Sequence, residues 1–166
     1  LLELVDDCAA KDQLSWRGDV LQARKDDLNI QSYIWAGYAA QIRSVQEYYD
    51  RSMQLLDPAI RADLFCAQRP IRAKNADLSS SYLGSGGKCV NSLFGDGCSI
   101  EGVVENSILF PGVTVEAGAV VRNCVIFKDA IVRKDAQLSY IIADKDVEVL
   151  PGRTLMGHVT YPIVLA

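Results

Sequence analysis

Apolar and polar positions alternate in two different rhythms along this chain, and the change falls near residue 83. In the first ten residues, Leu1, Leu4, Val5 and Cys8 recur at helical spacing, and a second helical stretch is predicted over Asp19 to Asp27. Leu28 to Tyr38 is rich in aromatic and β-branched side chains and predicts a strand. Ser44-Val45-Gln46-Glu47 is an S-x-x-E capping box, in which Ser and Glu side chains satisfy backbone N–H groups at a helix start. Behind it, Val45, Tyr48, Tyr49, Ser52, Met53 and Leu56 form one stripe, predicting a helix that ends near Leu56. Asp57-Pro58 reads as the N-cap and first position of a short further helix through Leu64. Cys66 to Tyr82, with Arg69-Pro70 and the polar run before Tyr82, reads as a linker.

From Leu83 the helical rhythm gives way to a repeat. NSILFPGVTVEAGAVVR from Asn106, NCVIFKDAIVRKDAQL from Asn123 and SYIIADKDVEVLPGRT from Ser139 align at a period of about 16 to 18 residues. Within each segment the step is close to six, as in Val115 to Val120 followed by Val121, or Phe94 to Ser99 followed by Ile100. An aliphatic side chain opening each step, with a small one four positions later, suits a triangular coil in which three steps make a turn. Glycine, Asp and Asn at the corners supply the φ > 0 conformations of tight turns. An antiparallel sandwich would instead show period-two alternation with turn signals every 8 to 12 residues. The fold class expected is therefore an α+β N-terminal remnant followed by a parallel β-helix of about four turns. Its domains are residues 1–66, a linker over 67–82, and the β-helix over 83–166.

Composition narrows the function classes. With 166 residues and 49% hydrophobic side chains the chain can bury a sizeable core. A net charge of -4 supplies no basic field for a nucleic-acid backbone, so no nucleic-acid partner is expected. The five cysteines are scattered, without a C-x-x-C pair and with one histidine, so they read as reduced, mostly buried thiols rather than a metal site. No apolar run reaches the roughly 18 residues that span a bilayer, so a cytoplasmic protein without a membrane partner is expected. Leu1 opens inside an amphipathic pattern, which reads as a piece of a longer protein.

The stretches YIWAGYAAQIRSVQEYYDRSMQLLDP, RPIRAK, VENSILFPGVTVEAGAVV and PGRTLMGHVTYPIVLA resemble the C-terminal region of bacterial glucose-1-phosphate adenylyltransferases, and in particular their GlgD-type regulatory subunits. The resemblance covers essentially the whole chain. It implies a left-handed coil and residues 1–66 as the tail of a nucleotidyltransferase-like domain. It also implies a role in ADP-glucose supply for glycogen, and a catalytic pyrophosphorylase subunit as partner in a mixed oligomer, a tetramer by resemblance. Catalytic members carry Gly-Tyr-Trp-x-Asp-Val-Gly-Thr, with the aspartate a metal ligand; here the run is GYAAQIRS, placing Gln41 at the aspartate, Ala39 at the tryptophan and Arg43 at the glycine. A neutral amide is a poor anchor for Mg²⁺, which favours anionic oxygen ligands, and phosphoryl transfer depends on that metal. The resemblance thus implies Mg²⁺ for the parent family but no cofactor, metal or catalytic residue in this chain.

Further candidates remain. Arg69, Arg72 and Lys74 could bind a phosphorylated metabolite as effector, against the commoner reading of a solvated charge cluster. Gly84-Ser85-Gly86-Gly87-Lys88 is a weak phosphate cradle and more simply a turn. His158 would be the general base of a hexapeptide-repeat acyltransferase, the main competing enzyme class, yet it lies after the repeats. An active pyrophosphorylase subunit with its catalytic groups upstream is the other alternative. Trp16, Trp35, Tyr33, Tyr38, Tyr48 and Tyr49 are read as core and interface groups for an N-terminal domain.

Overall fold

A computed structural model describes residues 2–72 and 77–166. The chain divides into two compact units, Leu1–Ala36 and Gly37–Ala166. In the first, helix α1 spans Leu2–Ala10 and buries Cys8. A π-helical turn follows over Trp16–Gln22 and buries Val20. Ser15 caps it, its Oγ accepting from Gly18 N at 3.0 Å while Ser15 N donates to Asp19 Oδ2 at 2.9 Å. Asp7 pairs with both Lys11 and Arg24, and their hydrogen bonds hold its carboxyl below the usual carboxylate range.

The helix expected over Asp19 to Asp27 is thus shorter, beginning at Trp16 and giving way to turns over 23–27. The strand expected over Leu28 to Tyr38 does not form; that stretch is irregular and mostly exposed. Aromatic and β-branched side chains favour a strand only where a neighbouring strand receives them, and among the described residues no strand is assigned to or beside this segment.

In the second unit, helix α2 spans Val45–Gln54 and α3 spans Pro58–Leu64. Ser44 Oγ accepts from Glu47 N at 3.1 Å, and Asp57 Oδ1 accepts from Ala59 N at 2.8 Å, so both read caps operate. Helix α2 ends two residues before Leu56, where turns lead into the Asp57 cap.

From Tyr82 to Leu165 the chain winds through fifteen strands of two or three residues, β1 (Tyr82–Leu83) to β15 (Ile163–Leu165). They stack into three parallel five-stranded sheets: β1-β4-β7-β10-β13, β2-β5-β8-β11-β14 and β3-β6-β9-β12-β15. This is a β-solenoid of about four turns, each coil laying one strand on each of three faces. The register pairs Tyr82↔Ser99, Ser99↔Thr114, Thr114↔Ile131 and Ile131↔Glu148 step by 17, 15, 17 and 17 residues. The period of 16 to 18 read from the sequence is the spacing of three of these four rungs, and the step of 15 falls outside it.

The interior is built from columns of like side chains. Ile100, Val115, Val132 and Val149 line the first sheet, Val104, Val121 and Leu138 the second, and Leu109, Ile126 and Ala143 the third, all buried. Small residues fill the corners, where Ala119, Ala130, Ala136, Cys98 and Cys124 are essentially inaccessible. The corner after the second face holds a column of left-handed residues: Asn91, Asn106, Asn123 and Tyr140, at φ of 43 to 55°. Asparagine tolerates that conformation because its short side chain hydrogen-bonds locally; Asn91 Nδ2 donates to Asn106 Oδ1 at 2.8 Å, running up the stack. On the outside, Arg133 joins two carboxylates, donating to Glu116 Oε1 at 2.8 Å and to Glu148 Oε1 at 2.6 Å.

The step of 15 marks a shortened coil. After β4 (Ser99–Ile100) only Glu101 and Gly102 precede β5 (Val103–Glu105), whereas four residues, 116–119, separate the equivalent strands one coil later. The tight corner brings backbone on backbone: a Cβ at Gly102 would come inside 3.0 Å of both Ala119 O and Glu116 O. Gly84 to Gly87 forms the corresponding corner of the first coil, closed by Gly87 N donating to Gly84 O at 3.0 Å.

Candidate functional site

The segment Gly37 to Ser44 reaches the solenoid through α2. Three outward residues of the third sheet, Ile108, Val125 and Ile142, make an apolar face, and Tyr48, Tyr49 and Met53 of α2 pack with that face and its flanking rings. Tyr49 is 3% exposed and its hydroxyl donates to Asn123 O at 2.8 Å. Burial pushes its phenol above the usual range. Tyr48 stacks on Phe127 with ring centroids 6.1 Å apart, and Phe127 meets Phe110 at 4.8 Å. Tyr48 and Tyr49 therefore serve the docking of α2 on the coil, whereas Tyr33 is 84% exposed, and Trp16 and Trp35 are each nearly half exposed.

With α2 fixed, the segment before it is held at both ends. Tyr38 N donates to Asp63 Oδ2 of α3 at 2.5 Å, and Tyr38 Oη donates to Gln54 Oε1 of α2 at 2.9 Å. At the other end Arg43 N donates to Glu47 Oε2 at 2.6 Å, so the capping-box glutamate reaches one residue further back than Ser44. Between these anchors Tyr38, Ala40 and Ile42 form one wall of an apolar groove of about 280 Å³, with Tyr48, Leu55 and Phe110 opposite.

Gln41 lies in this span and is exposed. Its Oε1 accepts from Arg43 Nη2 at 2.5 Å. The only side-chain oxygen at the expected metal-carboxylate position is therefore neutral and already engaged by a guanidinium. Mg²⁺ favours anionic oxygens and is repelled by an adjacent cation, so residues 37–44 do not fit the metal. Among the described residues no three His, Cys, Asp or Glu are grouped to hold one.

The other candidates are dispersed. Arg69 donates to Asp63 Oδ1 at 2.9 Å and to Asp63 O at 3.0 Å, so one α3 carboxylate holds both Arg69 and the start of the Gly37–Ser44 segment. Arg72 is exposed, and Lys74 lies outside the described residues. Gly84-Ser85-Gly86-Gly87-Lys88 belongs to a corner and the strand after it. His158 is exposed on the last coil, its Nδ1 2.9 Å from Thr160 Oγ1. All five cysteines are free thiols; burial raises the pKa of Cys89 and Cys98 and pushes that of Cys124 up to about 12. No helix among the described residues is long and apolar enough to cross a membrane.

Missed at the sequence level was the role of the third sheet's outer face. Its signal was present in the doubled apolar positions Ile108-Leu109, Val125-Ile126 and Ile141-Ile142, where one side chain fills the coil and its neighbour faces out under α2.

Comparison with known proteins gives this geometry a family. The chain is 36% identical over 147 residues to the glycogen biosynthesis protein GlgD of Bacillus subtilis (strain 168), covering 89% of this chain and 43% of that protein. It is 29% identical over 125 residues to glucose-1-phosphate adenylyltransferase of Acetivibrio thermocellus, covering 75% of this chain and 29% of the relative. The same enzyme of Bacillus thuringiensis (strain Al Hakam) matches at 29% over 135 residues, 81% of this chain and 36% of the relative. The resemblance read from the sequence is thus the one found, and the chain spans less than half the length of each of these relatives. Residues 75–158, which carry nearly all the stacked rungs, match the family described as GlmU-like, C-terminal hexapeptide, and to that family the chain belongs.

Proposed function

We propose that this chain is the C-terminal part of a regulatory, catalytically impaired subunit of glucose-1-phosphate adenylyltransferase, acting in ADP-glucose supply for glycogen synthesis. Residues 1–66 are the tail of its nucleotidyltransferase-like domain, 67–82 the linker and 83–166 the assembly domain. The observation that carries the reading is Gln41. The relatives place the chain beside adenylyltransferases, yet the residue at the metal-carboxylate position is an amide hydrogen-bonded to Arg43. Without a carboxylate there, Mg²⁺ loses a charged anchor, and with it the neutralisation on which transfer of a nucleotidyl group depends.

The partner in this reading is a catalytic pyrophosphorylase subunit. The solenoid suits assembly because stacked coils present repetitive faces and strand edges that another chain can pack against. Arg69, Arg72 and Lys74 are the effector-binding candidates of this reading, against a solvated charge cluster, and an anion bound there would compete with the Arg69–Asp63 pairing. The test is ADP-glucose formation from ATP, Mg²⁺ and glucose 1-phosphate by the full-length subunit alone. Turnover at or below about 1% of a catalytic relative's is expected, the loss typical of removing a group that stabilises transition-state charge. Efficient turnover by the subunit alone would overturn the reading and place the catalytic groups upstream.

A further inference from the structure

The final coil departs from the others at one corner. On the third sheet Val125 is paired with Ile142, a step of 17 residues, but Ile142 is next paired with Val164, a step of 22. Six residues, 157–162, stand where the coil below has Tyr140 alone, and they fold into a small hairpin. His158 N donates to Tyr161 O at 3.0 Å and Tyr161 N returns to His158 O at 2.9 Å. Within the turn Thr160 N donates to His158 Nδ1 at 3.3 Å. The base is fixed on the coil below: Gly157 N donates to Ser139 O at 2.8 Å, Ile163 N to Tyr140 O at 3.1 Å, and a Cβ at Gly157 would come inside 3.0 Å of Tyr140 O. The hairpin is therefore ordered by its own bonds and by close backbone packing.

Its tip meets α2. Gln46 Nε2 donates to Val159 O at 2.8 Å and to Asp50 Oδ1 at 2.8 Å, so both amide hydrogens are used. Gln46 Oε1 is buried without a hydrogen-bond partner, a cost set against the two bonds on the other side of the amide. Gln46 stands in the first turn of α2, where Ser44 and Glu47 also tie down the backbone of Arg43 to Glu47. One side chain thus joins the insertion in the last coil to the turn that sets the Gly37–Ser44 segment.

We propose that residues 157–162 are a clip that holds the first turn of α2, with Gln46 as the positioning residue, so that the last coil and the Gly37–Ser44 segment move as one body. Any load on the terminal coil, such as a subunit packing there, is then transmitted to that segment. The inference stands on hydrogen bonds and register, independently of whether the segment binds a metal.

Hydrogen exchange read by mass spectrometry on the 166-residue chain tests it. Gln46→Met keeps side-chain length and removes both donors. It is expected to speed exchange about three- to tenfold in peptides covering residues 43–47 and 157–161, the size of effect from losing one modest hydrogen bond, while peptides of β5, β8 and β11 stay unchanged. Gln46→Lys, whose ammonium can donate to both Asp50 and Val159 O without an orphaned acceptor, is expected to restore protection at both places. Faster exchange spread evenly over the sheets would show a general loss of stability and overturn the clip. Faster exchange at 43–47 with the hairpin unmoved, or no change at either place, would also overturn it.

Discussion

Replacing Gly102 by alanine tests the shortened corner directly. The two residues between β4 and β5 do the work of four elsewhere, and the tightness brings Gly102 against Ala119 O and Glu116 O of the next coil. Neither oxygen is free to retreat. Ala119 O accepts from Val103 N at 2.8 Å, and Glu116 O accepts from Ala119 N at 3.1 Å, so clearing space for a methyl group stretches one or both bonds. Inserting one carbon into rigid packing costs about 1–3 kcal/mol, and backbone obstacles favour the upper half of that range. Alanine recovers about 0.4–1 kcal/mol by restricting the unfolded chain. The net expectation is a destabilisation of about 2 kcal/mol, seen as a lower urea midpoint with an unchanged slope. Gly86→Ala, in the wide corner of the first coil, is the matched control. Its nearest obstacle is Glu101 O at 3.5 Å, an ordinary contact. It should be neutral or stabilised by up to about 1 kcal/mol. A Gly102→Ala protein within about 0.5 kcal/mol of the parent, or a control equally destabilised, would refute the account of the corner.

Two other perturbations probe the docking of α2 and the interior of the coil. Tyr49→Phe removes the bond to Asn123 O and should cost about 1–2 kcal/mol in urea unfolding, while Tyr49→Ala, which also empties the packed face, should cost about 3–5 kcal/mol. The thiol of Cys124 gives an alkaline signature. Its folded pKa is raised to about 12 by burial, whereas an unfolded thiol ionises near about 8.5. The stability linked to it is therefore fully present below about pH 8.5 and lost as pH rises toward the folded value. By pH 10 the loss from this one group is about 2 kcal/mol. Unfolding at pH 7.5 and pH 10 should show that drop in the parent and a smaller one in Cys124→Ala, which keeps the small corner volume; an equal drop in both would contradict it.

The solenoid was readable because its determinants are local and repeated. Each six-residue step carries its own aliphatic filler and small corner residue, and each Asn of the Asn91, Asn106 and Asn123 column marks a left-handed turn by itself. The caps at Ser44 and Asp57 were readable for the same reason, being contacts across two or three residues. Properties that depend on distant partners were not. Leu28 to Tyr38 has the side chains of a strand, but among the described residues it joins none of the three sheets. Tyr49 sits on a helical stripe whose partner, the outer face of the third sheet, lies some 70 residues later, its hydroxyl meeting Asn123 O across 74 positions. The clip was equally hidden, since Gln46 and Val159 are 113 positions apart and no local pattern in LMGHVTYP marks a contact with a helix. At the candidate site the substitution of Gln41 was visible from the motif, but its engagement by Arg43 and the sharing of Asp63 by Tyr38 and Arg69 required the fold.

The central claim is regulation of a catalytic partner, and the most direct measurement is the rate of ADP-glucose formation by that partner with and without the full-length subunit, across a titration of phosphorylated effector. The account predicts that adding the subunit shifts the partner's maximal rate or its effector half-saturation severalfold, saturating at a fixed molar ratio. An unchanged rate and an unchanged effector curve at all ratios would contradict it.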